Sequence, residues 1–374
     1  MRVAFDATSL LDRPTGVSVF ARQVLAGLAL MTDVEVTAFA VSLRGRGRLP
    51  EVVPPGVAVA ARPIPARLAR AGWARTDRPS VVDLTGPTDV VHGPNFVAPP
   101  GGPAAEVITV HDLTALRHPE MCTPDVRAWP DLLRRALARG AWVHTVSRYV
   151  AEEVREAFPE VGDRVVPILN GVEPPAPPGP RTDAARGRHL AGGDRYVLSL
   201  ATAEPRKDLP GLVRAFDSLA DEDDELRLVL AGPDGWGAAE LTAAVDRARH
   251  RRRVVRLGWV DDEARLALLR GALVVAYPSR YEGFGLVPLE AMAVGTAVVA
   301  TDVGAIGEVT GEGALLVPAG DHDALADALA RVIGIDDLRM GLIHRGSLRV
   351  AAFSWADTVD QIVDLYRRAI DSRS

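Results

Sequence analysis

The sequence predicts an α/β protein of two parallel-sheet domains, and three observations carry that expectation. Short apolar runs rich in β-branched residues alternate with helical periodicity along the chain, the signature of parallel strands joined by crossover helices. A proline-rich stretch, Pro174 to Pro180, and its polar continuation to Gly193 break the alternation near mid-chain, a composition that suits a linker. The length, 374 residues, exceeds what one hydrophobic core usually fills. The expected organisation is a first domain over 1–173, a linker over 174–193, a second domain over 194–355, and a helix over 356–374 that crosses back to the first domain.

The elements follow in order. Strands are expected in the first half at Val3–Phe5, Val34–Ala40, Val90–His92, Val107–Val110, Val143–Val146 and Val165–Ile168. In the second half they are expected at Tyr196–Leu200, Leu226–Ala231, Val254–Leu257, Leu273–Ala276, Ala297–Ala300 and Ala314–Val317. Helical periodicity fills the intervals, as at Val17–Ala29, Asp131–Arg139 and Leu212–Leu219, and a last helix follows Phe353-Ser354-Trp355 to Arg368. Two such domains would face each other across a cleft, with strand C-termini on both walls, where open α/β sheets bind ligands.

The most informative stretch runs from Tyr281 to Met292. It joins a glycine-rich turn to an apolar helix start and sets two carboxylates, Glu282 and Glu290, eight positions apart. Pro288 suits the first turn of a helix and Gly295 its end. The backbone N–H groups of Gly283, Phe284, Gly285, Leu286 and Val287 would then point beyond the strand end, and a helix N-terminus favours phosphate and other anions. Glu290, expected in the first turn, would lean toward the same end. One carboxylate on the turn and one on the helix could hold two hydroxyl-bearing parts of a single anionic ligand, such as a sugar nucleotide.

A second cue is compositional. Lys207 is the single lysine among 43 basic residues, in Glu204-Pro205-Arg206-Lys207-Asp208. Arginine offers a flat bidentate fork and lysine a compact ammonium, so the two are not equivalent at a phosphate. The pair Arg206-Lys207 follows an apolar strand and precedes a helix. In the first half, Arg13-Pro14-Thr15-Gly16, His92-Gly93-Pro94-Asn95 and His111-Asp112-Leu113 are the corresponding strand-end loops. Gly16 opens a helix, a position suited to phosphate contact.

Composition narrows the partners. A net charge of −6 and the lack of a basic tail exclude nucleic acid as the main partner. One cysteine, Cys122, allows no internal disulfide and no cysteine-based zinc site. The N-terminus reads as a first strand, no apolar run reaches membrane-spanning length, and a cytoplasmic location is expected. Between Ser42 and Ser80, eight arginines (44, 46, 48, 62, 67, 70, 75 and 78) face only Glu51 and Asp77, with Leu68, Ala69, Ala71 and Trp73 among them. Such a stretch suits a solvated loop and helix, or peripheral contact with an anionic membrane. No metal is expected: Asp221 to Glu225 reads as an exposed acidic loop, and His92, His111, His118 and His144 lack metal-helix spacing, His144 suiting a packing role.

Taken together, these motifs resemble the retaining glycosyltransferases of family four, with the two-domain GT-B architecture of Rossmann-like halves. The resemblance rests on Thr15-Gly16, His111-Asp112, Asn170-Gly171-Val172, Glu204 to Lys207, Gly232-Pro233, Leu257 to Val260, the Glu282/Glu290 pair and Phe353-Ser354-Trp355. The loops of the first half look most like those of bacterial mannosyltransferases that use GDP-mannose. The resemblance implies a nucleotide-sugar donor, most often GDP-mannose, no further cofactor, and a sugar, lipid-linked or small-molecule hydroxyl acceptor. It implies that Arg206, Lys207, Gly16 and the N–H groups of Leu286 and Val287 hold the diphosphate. Glu290 would then take the ribose, Glu282 with Gly283 to Gly285 the hexose, His111 the transferred sugar or acceptor, and Trp259–Val260 the base. Some relatives carry a further arginine just before the Arg-Lys pair, where this chain has Ala201. UDP or ADP donors share these contacts, and an epimerase or an inactive nucleotide-sugar scaffold of the same fold are rival readings. Same-face displacement and a covalent intermediate both stay open.

Overall fold

The computed structural model describes residues 1–11, 15–42, 46–60, 69, 72–73, 75–97, 99–124 and 126–373. The chain divides into two units, Met1–Gly171 with Ser354–Ser374, and Val172–Phe353.

The first unit holds seven parallel strands: β1 (Arg2–Asp6), β2 (Glu35–Phe39), β3 (Ala58–Ala60), β4 (Val90–Gly93), β5 (Ala105–Val110), β6 (Trp142–Thr145) and β7 (Val165–Pro167). Their order is β3-β2-β1-β4-β5-β6-β7, with Phe5 in register with Ala38 on one side and His92 on the other. Every residue of β5 is buried, as a central parallel strand covered on both faces requires. Phe5, Val24, Leu25 and Val107 form one core with Ile362, Val363 and Tyr366 of the final helix Trp355–Asp371. That helix therefore belongs to the first unit and packs beside the helix Gly16–Ala29. Ile108, Val143, Val150 and Phe158 form another core under the helices Trp129–Ala138 and Arg148–Ala157.

The second unit holds six: β8 (Tyr196–Leu200), β9 (Arg227–Ala231), β10 (Val254–Gly258), β11 (Val274–Tyr277), β12 (Ala297–Thr301) and β13 (Ala314–Val317), in the order β10-β9-β8-β11-β12-β13. Strand order reverses between β8 and β11, so helices leave these neighbours in opposite directions and a crevice opens above their C-terminal ends.

All twelve expected strands are present. The thirteenth, β3, escaped expectation because it is a three-residue, half-exposed edge strand with too short an apolar run to read. The stretch read as a linker also differs. It contains the helix Ala184–Ala191, capped by Asp183 through the N–H of Arg186 and closed by left-handed Gly192. Gly187 lets this helix close on Asp262–Gly271, since a Cβ there would sit 2.0 Å from the Ala267 carbonyl oxygen.

Among the described residues, no helix is long and apolar enough to cross a membrane. Of the basic stretch, Arg44, Arg62, Arg67, Leu68, Arg70 and Ala71 lie outside the described residues. Trp73 and Ala69 are buried in a small core with Phe39 and Val91 rather than offered to a surface.

Candidate functional site

The loops that follow β8 and β11 meet at the crevice of the second unit. After β8 the chain turns through the short 3-10 helix Pro205–Lys207 into the helix Leu209–Glu222. After β11 it runs through Ser279 to Gly285 into the helix Leu286–Ala293. Arg280 helps tie the loops together: its N–H donates to the Arg206 carbonyl at 2.8 Å, and its guanidinium to Asp208 at 3.1 Å.

Glu282 lies between the two cations. Its Oε2 is 2.9 Å from Nη1 of Arg206, and its Oε1 accepts a hydrogen bond from Nζ of Lys207. Arg206 also donates to the Tyr281 carbonyl at 3.1 Å, and Lys207 to the Tyr277 hydroxyl at 2.9 Å. Burial alone would raise the Glu282 pKa, but Arg206 and Lys207 outweigh it and hold the carboxyl at about 2. Burial and the neighbouring Arg206 lower the Lys207 pKa, against the pull of Glu282. Glu204, 3.7 Å from Arg206, completes the cluster of two cations and two carboxylates, which fixes the ammonium and the guanidinium beside an uncapped helix start. The N-cap of Leu286–Ala293 is Gly285, which has no side chain to occupy the first N–H groups.

The sequence placed Glu290 in the first helical turn. With the helix starting at Leu286 it is the fifth residue, one turn deeper, because the glycine-rich segment stays non-helical through Gly285. Its Oε2 bonds Arg265 of the helix Asp262–Gly271, a partner the sequence did not reveal. Burial raises the Glu290 pKa while Arg265 opposes. Trp259 and Val260 lead directly into that helix after edge strand β10, so the Arg265 contact brings their loop beside Glu290. Trp259 is 50% exposed, a flat aromatic face open to a ligand.

The Glu282 carbonyl is held as firmly as its side chain. It accepts from the Ala305 N–H at 3.0 Å, and Gly304, at φ +56°, allows this approach. A Cβ on Gly304 would stand 1.9 Å from that carbonyl oxygen. Gly304→Ala is expected to cost about 2 kcal/mol of stability or more and to lower turnover at least ~10-fold as Glu282 is pushed from its cations. Thermal melts and initial rates on the same preparation check it.

In the first unit, Gly16 is the first residue of its helix. Thr15 and Ser18 cap one another, so the Ser18 N–H is used, whereas those of Gly16 and Val17 have no partner among the described residues. Arg13 and Pro14 of the same loop lie outside the described residues. His111, after β5, donates Nε2–H to the Pro94 carbonyl at 2.7 Å, and burial lowers its pKa. The ring is therefore neutral near pH 7, with Nδ1 as its acceptor.

The acidic run lies before β9, at the N-terminal end of the parallel strands, whereas Arg206 follows the C-terminal end of neighbouring β8. Asp221 is bonded to Arg249 and His250, and Asp223 to Arg195. Among the described residues, no group of three His, Cys, Asp or Glu is placed to hold a metal. His144 is fully buried, in agreement with its packing role.

Comparison with known proteins identifies the family. Residues 181–349 match the model for glycosyl transferases group 1, and 14–174 that for glycosyltransferase family 4. An Escherichia coli O-antigen chain mannosyltransferase B is 32% identical over 74% of this chain and 74% of its own length. The chain is a family-four glycosyltransferase. It is thus a retaining hexosyltransferase, which sets aside the epimerase reading. A D-inositol 3-phosphate glycosyltransferase of Saccharomonospora viridis is 33% identical over 71% of this chain and 64% of its own length. The phosphatidyl-myo-inositol mannosyltransferase of Mycobacterium leprae is 36% identical across 46% of each chain. In fold, the transferase matches a sucrose-phosphate synthase from Thermosynechococcus elongatus with a TM-score of 0.77 over 99% of both chains, at 21% identity. WaaG, a glycosyltransferase of lipopolysaccharide biosynthesis, matches with a TM-score of 0.74 over 97% of this chain and 98% of its own, at 15% identity. The chain therefore has the GT-B fold.

Proposed function

We propose that this transferase moves mannose from GDP-mannose to a hydroxyl group of a glycan, glycolipid or small-molecule acceptor. The observation that carries the reading is the Arg206–Lys207–Glu282 cluster beside the open helix start at Leu286. Two cations and free N–H groups in one crevice suit a diphosphate, whose negative charge grows as its bond to the sugar breaks. Stabilising that charge with groups already in place is typically the largest catalytic contribution. Glu290 takes the ribose hydroxyls through Oε1, since Arg265 occupies Oε2. Trp259 and Val260 flank the base, Glu282 and the Gly283–Gly285 backbone hold hexose hydroxyls, and Gly16 adds N–H groups from the first unit. His111 offers Nδ1 to a sugar or acceptor hydroxyl. The bond from the anomeric carbon to the diphosphate breaks, and the acceptor oxygen bonds that carbon on the same face. The acceptor proton ends on the leaving phosphate. Mannose is favoured because three relatives above 30% identity are named mannosyltransferases.

Calorimetric titration with GDP-mannose, UDP-glucose and ADP-glucose tests the donor. Tightest binding to GDP-mannose, with release of GDP when acceptor is added, is the expected result. Preference for a UDP or ADP sugar would overturn the donor assignment, and no affinity for any of them would overturn the site.

A further inference from the structure

A buried chain of hydrogen bonds runs beneath the His111 loop and crosses β4, β5 and β6 to the residue that follows β7. The Tyr366 hydroxyl, on the final helix, is 2.6 Å from Nδ1 of His92. Nε2 of His92 is 2.7 Å from Oγ1 of Thr109, which is 2.9 Å from Nδ1 of His144. Nε2 of His144 is 2.9 Å from the Ile168 carbonyl oxygen. A carbonyl can only accept, so Nε2 of His144 carries hydrogen and its Nδ1 accepts from Thr109. Thr109 then has its lone pairs for the Nε2–H of His92, whose Nδ1 accepts from Tyr366. Every proton in the row is assigned by that one carbonyl, with both imidazoles neutral.

The row is in step with the site loop above it. The His92 and Thr109 side chains meet diagonally across β4 and β5, where the register sets His92 opposite Val107, and Pro94 and His111 lie two residues beyond them in sequence. Pro94 directly follows β4 and His111 directly follows β5, so the His92–Thr109 bond and the bond from His111 to the Pro94 carbonyl come one after the other along the two chain segments, both 2.7 Å long. Phe20 spans them, with ring centroids 5.3 Å from His111 and 6.4 Å from His92. The Phe96 N–H to Thr109 carbonyl bond, 3.0 Å, closes the loop that carries Pro94.

We propose that Tyr366, His92 and Thr109 are positioning residues for His111, setting the height of Pro94 so that the His111 proton stays on Nε2 and Nδ1 is presented to substrate. This rests on the reading in which His111 meets the sugar or acceptor. The final helix is thereby part of the site's support, although Tyr366 touches no substrate.

The test uses full-length Tyr366→Phe, Thr109→Val and Thr109→Ser, since these keep shape and fold. Phe and Val are expected to lower kcat about 10-fold, with the nucleotide-sugar KM within about twofold, and Ser is expected to restore most of the rate. Nitrogen-15 spectra of the histidine rings, which need no turnover, should show His111 with hydrogen on Nε2 in wild type and Ser, and mixed tautomers in Val. An unchanged His111 spectrum in Thr109→Val, or equal loss of rate in Val and Ser, overturns the positioning role. An altered spectrum with undiminished transfer keeps the support and overturns the role of His111 in the reaction.

Discussion

Lys207→Ala should lower kcat about 10- to 100-fold, the loss of one charge-assisted hydrogen bond to a developing phosphate charge. Arg206→Ala should do the same. The ammonium is placed before any ligand arrives, by Glu282, by the Tyr277 hydroxyl and by the Tyr277 ring, whose centroid is 4.9 Å away. Lys207→Arg is not a rescue, because a planar fork does not fit between a carboxylate and a tyrosine built around a compact ammonium. Either alanine variant leaves Glu282 one cation, so the fold should survive with a modest fall in Tm. Steady-state rates and thermal melts on the same samples decide it, and near-normal transfer by both variants would refute the phosphate assignment.

How this cluster forms was only half legible. Arg206-Lys207 and Glu282 each stood out, one by rarity and one by its spacing to Glu290. What the sequence could not show is that Glu282 lies between the cations, because the contact joins segments 75 positions apart. Strand order supplies it, by making β8 and β11 neighbours. The Arg265–Glu290 pair is of the same kind. Arg265 is one of many arginines, and only the packing of two helices singles it out. The parallel strands were readable because buried strands are continuous apolar runs, whereas β3, short and at an edge, leaves no such run. The helix Ala184–Ala191 was readable in principle, through Asp183 and Gly192, but the prolines before it dominated the composition. Tyr366 gave no sign at all. Its partner His92 is 274 residues away, and a tyrosine in an amphipathic helix looks like packing.

Glu282→Gln should separate binding from catalysis. The native carboxylate neutralises one of two adjacent cations. Without it, Lys207 loses its nearest carboxylate and Arg206 is left with the longer contact to Glu204 at 3.7 Å, and the free protein should lose about 3 kcal/mol. A nucleoside diphosphate restores the missing negative charge. GDP should therefore raise Tm more in Glu282→Gln than in wild type, while sugar transfer falls at least ~10-fold because the hexose contact and the alignment of both cations are gone. The pH dependence has a definite sign. Glu282 has a depressed folded-state pKa, about 2 against 4.5, so its stabilisation is fully present above the unfolded value and is lost as pH falls from about 4.5 toward 2. A shift of that size corresponds to roughly 3 kcal/mol. Glu290, raised by burial, acts in the opposite sense and becomes less unfavourable on acidification. Wild type should thus lose stability between pH 4.5 and pH 2 more steeply than Glu282→Gln, the two melting curves converging at the acid end. Parallel curves, or a smaller GDP shift in the variant, would show that Glu282 does not neutralise the phosphate-binding cations.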